Sequence, residues 1–533
     1  MKSEIVKLRK QIYKNLKEHA LSFEEFNEEL SSYLKDQIKY SKRKFQISHY
    51  DKLKTEVMNS DIVYIGDFHT FDQNIRTVLR VIKLIITNKT NCIIGLEMVP
   101  AKYQLYINSY LEKHITELEF LELIHYHDSW RFPWTHYKLI FELARESNIS
   151  VIGLNIEGSL KARDEFAAKK LVEIYEKNPD SIIISLYGEL HITPNKIPKL
   201  VETQCPNINH LILHQNLDDV YWRLLKKNLE QGIISFNKKE FCIISAPPWI
   251  KYESMIYWYE NMCEDPDFDI HEYIIENGKK IFSDNTDENF QYICNMLIKH
   301  LSLKDIKDEI EDFNLYDHTN LDFVEEKLAT TLKPSVFKFY DYLISTNKSF
   351  RFPKNSTFYC SSYSMNRISY LAGIHILHIY LNKNQIDVLS VLNSKSSTQK
   401  LILFTLESMC AFFISKIINP HRKCDMYKDL KKKLNSGNIK KVDEKILTCV
   451  LNILKGKNIT TEVTGAKVSQ LYEVSLFLGH ILGEYLYLHM NKSNQSFFNH
   501  NIKAVSLEKK YFDTLLKNIL KNIDFKNHYK RYF

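Results

Sequence analysis

A chain of 533 residues exceeds one ordinary hydrophobic core and calls for two domains. Its 44% hydrophobic and 26% charged residues exclude a disordered chain. The net charge of +7 is scattered over short clusters (KLRKQ, KYSKRK, KDLKKK) and lacks the single basic patch of a nucleic-acid binder, so no nucleic-acid partner is expected.

In chain order, MKSEIVKLRKQIYKNLKEHA carries charges every few residues and has no apolar leader core or lipobox-like cysteine. Nine scattered cysteines without a C-x-x-C pair argue against a disulfide framework or a thiolate zinc site. Together these features predict a cytoplasmic location. Ser22-Phe23-Glu24-Glu25 has capping-box spacing and predicts the start of a second helix, so residues 1–57 read as helices packed on the neighbouring α/β domain. From about 60 to 248 the period changes. DIVYIGDFH (61–69), NCIIGLEM (91–98), ISVIGLNI (149–156), DSIIISLYGELH (180–191), NHLILHQN (209–216) and EFCIISAPP (240–248) are short β-branched runs separated by amphipathic helical stretches. That alternation predicts a parallel sheet buried on both faces, a three-layer α/β domain over residues 58–262. The acidic, turn-rich stretch 263–286 reads as a linker. Residues 287–533 show only helical patterns and predict an all-α domain. Its apolar runs, LAGIHILHIYL and LESMCAFFISKII, fall short of the roughly 18–20 residues that span a bilayer, so no membrane span is expected.

Ligands of an open parallel sheet gather beyond the carboxyl ends of its strands. There the sequence places Asp67 and His69, Glu97, Asn155 and Glu157, Glu189 and His191, and Gln215 and Asn216. Four of only 13 glycines (Gly66, Gly95, Gly153, Gly188) stand one or two residues before these polar groups, as close approach to a ligand would require, although close helix packing has the same signature. In each Gly-acid-x-His the acid and the His lie two apart, so an extended backbone would point both into one cleft, with Glu97 joining from a neighbouring strand. Clustered carboxylates need either one raised pKa or a neutralising cation. Asp67, His69, Glu97, Glu189 and His191 accordingly form a candidate nitrogen/oxygen site for Fe, Mn or Zn. Nucleophile-elbow, H-E-x-x-H, P-loop and dinucleotide motifs are absent.

Two G-x-x-H motifs with a strand-end Glu between them resemble the superfamily of ChaN-like haem-binding proteins, Tiki/TraB proteins and erythromycin-esterase-like enzymes, the ChaN branch most. SWRFPWTHYKLIFELARESNISVIGLNI resembles its W-x-x-Y helix and following strand, KARDEFAAKKL its Arg-bearing helix, and GELHITPNKIP its second His, over roughly residues 58–250. His69, Glu97, Arg163 and His191 match directly, and Asp67 stands where the family commonly has Glu. The resemblance implies a haem-iron or divalent-metal binder with a small-molecule ligand. It also admits a hydrolase of esters or peptides in which His69, Glu97, Arg163 and His191 would be catalytic, or a binding protein that keeps the cleft as ancestry. For haem, Tyr103, Tyr106 and His127 lie nearby in sequence, but tyrosines at this helical spacing more often form a buried stripe than a ligand set. In the helical half, His375, His378, Glu407, Glu473, His480 and Glu484 lack paired E-x-x-H motifs and read as polar core residues.

Overall fold

The computed structural model describes residues 2–24, 26–88, 90–261, 286–436, 439–490 and 495–521, so the expected linker at 263–286 lies outside the described residues apart from Thr286. The chain divides into two compact units, one of Gln11–Lys279 and one joining Met1–Lys10 to Lys280–Lys530.

The first unit is built on an eight-stranded sheet: β1 (Gln46–Ser48), β2 (Ile62–Asp67), β3 (Asn91–Pro100), β4 (Ser150–Asn155), β5 (Ser181–Gly188), β6 (His210–Gln215), β7 (Gly232–Asn237) and β8 (Glu240–Ile244). Its order is β1-β7-β8-β6-β2-β5-β3-β4, with parallel pairing from β8 to β4 and antiparallel pairing at β7. The expected parallel α/β sheet is therefore present, extended by β1 and β7.

The central strands are mostly apolar and almost wholly buried because both faces are covered. On β5, Ile182, Ile184 and Leu186 enter one core with helices Asp72–Thr87 and Trp134–Glu146. The alternate residues Ile183 and Tyr187 enter the other, with helices Leu160–Lys177 and Ile197–Gln204. Full burial of each such side chain contributes about 1.5–3 kcal/mol. The helix after the first does not start at Ser22. It spans Glu28–Ser41 and is capped by Asn27, whose side chain accepts from the Leu30 N–H at 2.8 Å. The Ser22 hydroxyl instead donates to the carbonyl of His19 at the end of helix Lys2–Leu21, while Glu25 lies outside the described residues.

The second unit is mainly helical, but it is not purely so: Asn314–Asp317, Phe350–Arg351 and Thr357–Cys360 form a small sheet. Strands of two to four residues leave no periodicity to read. Among the described residues, one helix, Ser397–Ile418, is long and apolar enough to cross a membrane. It extends LESMCAFFISKII back to Ser397, and 94% of its apolar window is buried within the protein. Helices Met365–Lys383 and Val468–Met490 pack closely on it: a Cβ at Gly373 would lie 2.6 Å from Ala411 Cα, and one at Gly483 would lie 2.7 Å from the Met409 carbonyl oxygen.

Candidate functional site

β5 lies between β2 and β3, so the two Gly-acid-x-His motifs occupy adjacent paired strands, with Asp67 opposite Gly188. The expectation that each motif points acid and His the same way fails at the second. β5 ends at Gly188, and the chain turns there, with the His191 N–H donating to the Gly188 carbonyl at 2.9 Å. Glu189 therefore faces Lys251 (Oε1 to Nζ, 3.6 Å), and its Oε2 is buried without a hydrogen-bond partner. His191 turns the other way, toward Asp164 and Glu97.

Two ionic groups form the floor. In the first, Asp67 Oδ2 accepts from the Tyr137 hydroxyl at 2.9 Å and lies 3.0 Å from His69 Nδ1, while Oδ1 lies 3.5 Å from His136 Nε2. Burial works against its charge, but His136 and His69 hold the Asp67 carboxyl well below the usual carboxylate range. His136 is likewise buried, yet Asp67 and Asp72 push it up to about 9. In the second group, Glu97 accepts from Arg163 Nη2 and from the Gly188 N–H, the latter at 2.6 Å. Arg163 Nε donates to Asn155 at 2.9 Å, so the end of β4 aims the guanidinium. His191 Nδ1 lies 2.5 Å from Asp164 Oδ1, and Tyr33 donates to the other Asp164 oxygen at 2.7 Å. Arg163 and Asp164 lie near the start of helix Leu160–Lys177, capped by the Ser159 hydroxyl accepting from the Ala162 N–H.

Above this floor is a cleft of about 420 Å³. It brings together Asp67, His69, Glu97, Arg163, Glu189 and His191 beneath walls that include Leu30, Leu34, Phe68, Trp130, Phe132 and Trp258. Tyr103, Tyr106 and His127 do not line it. The two tyrosines pack against the core, and His127 is exposed. Nor do the five expected metal ligands form one donor set: among the described residues, no group of three or more His, Cys, Asp or Glu is placed to hold a metal ion. Arg163 and His136 already supply the neutralising charge, and the Gly188 N–H takes up Glu97's second oxygen. The other strand-end residues are structural or exposed: Gln215 donates to the Gly66 carbonyl, Asn216 accepts from the N–H groups of Ser245 and Ala246, and Glu157 pairs with Lys102 at the surface. Sequence alone did not single out His136, Tyr137, Asp164 or Tyr33. Tyr137 did lie in the W-x-x-Y stretch, and Asp164 directly follows Arg163.

The fold and floor define an α/β protein with an acid–histidine cleft at the carboxyl end of a mostly parallel sheet. Residues 53–163 match the sequence model of the family described as "Haem-binding uptake, Tiki superfamily, ChaN", so the ChaN-like resemblance holds over that stretch, which includes Asp67, His69, Glu97 and Arg163. The match ends before the second motif. Among solved structures, the chain is similar to one described as "Cofacial heme binding to ChaN of Campylobacter jejuni", at 11% identity and a TM-score of 0.25, covering 32% of this chain and 86% of that one. None of the curated proteins compared matches.

Proposed function

We propose that the cleft binds haem, or a flat metallotetrapyrrole close to it, with His69 as the iron ligand. The observation that carries this reading is the anchoring of His69. Its Nδ1 lies 3.0 Å from Asp67 Oδ2, a carboxylate kept ionised by its surroundings, so Nδ1 is engaged as the donor and Nε2 is the nitrogen left for the iron. The ring lies 4.8 Å from that of Trp130 and 4.7 Å from that of Phe132, walls suited to a flat apolar ligand. Arg131 also lines the cleft, its guanidinium 5.9 Å from the centre of the Trp258 ring. The match of residues 53–163 to a haem-binding family supports the same reading. Bound haem would supply the iron; the chain supplies an oriented imidazole, apolar walls and a fixed ionic floor. Adding haem to the full-length protein should quench the fluorescence of Trp130 and Trp258 and shift the Soret band in one saturable phase. A Soret spectrum identical to that of free haem would overturn the reading.

A second reading, hydrolysis, rests on the other ionic group. His191 is held by Asp164 at Nδ1, with Nε2 3.9 Å from Glu97 Oε1, and Arg163 stands beside Glu97, so a base and a cation share one floor. Turnover of an ester or peptide substrate panel that Asp164→Asn abolishes would favour it. Turnover that Asp164→Asn and His191→Ala leave unchanged would dismiss it.

A further inference from the structure

The helical unit contains a smaller cavity, of about 30 Å³, with room for roughly two or three water-sized positions. Its walls are mostly aromatic and aliphatic, but Arg351, His378 and Glu407 enter it. Arg351 is only 6% exposed. Its Nη1 donates to the Phe352 carbonyl at 2.9 Å, while its buried Nε has no hydrogen-bond partner. Burial lowers its pKa only to about 10, so the guanidinium stays charged at neutral pH.

The acid that shares the cavity does not neutralise it. Glu407 Oε1 lies 2.6 Å from His378 Nε2, and burial pushes the Glu407 carboxyl up to about 8. Burial also pushes His378 well below its ordinary value, so the proton in that contact comes from Glu407 and the pair is neutral overall. His378 Nδ1 is buried without a partner as well. A buried cation without a counter-charge is costly, and a polar cavity beside it is where the counter-charge belongs.

We infer that this cavity is a receptor site for a small monoanion of formate or nitrate size, seated on the Arg351 guanidinium beside the Glu407–His378 pair. A planar anion with two oxygens matches the guanidinium fork, and three or four heavy atoms fill the space. A dianion would bring a second charge for which this cavity has no second cation among the described residues.

The test uses the full-length protein at neutral pH in a gluconate buffer, gluconate being too large for the cavity. Sodium formate is titrated calorimetrically, with formamide as its neutral analogue and benzoate as the oversized one. Formate should bind saturably at one site per chain and raise the melting temperature, while formamide and benzoate do neither. Arg351→Gln should weaken formate binding by at least about tenfold. Should that variant fail to fold, the comparison of formate with formamide on the unaltered protein decides. No saturable formate binding, equal binding of formate and formamide, or full affinity in Arg351→Gln would each overturn the inference.

Discussion

Gly188 shows how single atoms set the cleft. A Cβ there would lie 3.3 Å from both Glu97 Oε2 and His69 Nε2, and 3.4 Å from His191 Cδ2. Glu97 is fixed by Arg163, so the His69 imidazole must give way. Gly188→Ala should therefore weaken haem binding several-fold while lowering the melting temperature little, as read from paired titration and melting curves. Not every strand-end glycine serves the site. Gly95 makes room for the Leu154 side chain, and Gly153 for the carbonyl oxygen of Val99. The shared position of these glycines was legible in the sequence, but which of them faced a ligand was not, because that depends on what crosses from the next strand. Asp164 was illegible for a similar reason: its partner His191 is 27 positions away in sequence.

At the scale of elements, the strand runs and their polar ends could be read from the β-branched residues and the glycines. Strand order could not. β5 enters between β2 and β3 only once the sheet has formed, and that placement makes the two histidine motifs neighbours. β1 leaves little trace in the sequence because it has three residues with two exposed, and β7 because it joins β8 in a hairpin outside the βαβ alternation. Helix Glu28–Ser41 brings Leu30 and Leu34 to the cleft and Tyr33 to Asp164. Its start depends on Asn27, and Asn27→Ala should cost about 1 kcal/mol. A fall in denaturant midpoint with unchanged slope would report that loss, and an unchanged midpoint would show that the cap is dispensable.

For the whole molecule, the buried Asp67–His136 pair predicts a pH window of stability. Asp67 is depressed, so its contribution is present above the ordinary carboxylate range, near pH 4, and is lost as pH falls below it. His136 is raised to about 9, so its contribution is complete below about pH 6.5 and is lost as pH rises through about 9. Stability should thus be greatest between these limits, and the alkaline loss should amount to at most about 3 kcal/mol. His136→Gln should flatten the alkaline arm of a plot of melting temperature against pH. An arm left unchanged by that substitution would assign the loss to other groups.

The most direct test of the cleft as a haem site is the absorption spectrum of the full-length protein with one equivalent of haem, taken for the unaltered chain, for His69→Ala, and for His69→Ala with added imidazole. The geometry of His69 and Asp67 predicts a shifted Soret band, its loss in His69→Ala, and its return with imidazole, which restores the missing ligand. A Soret band unchanged by His69→Ala would contradict the account.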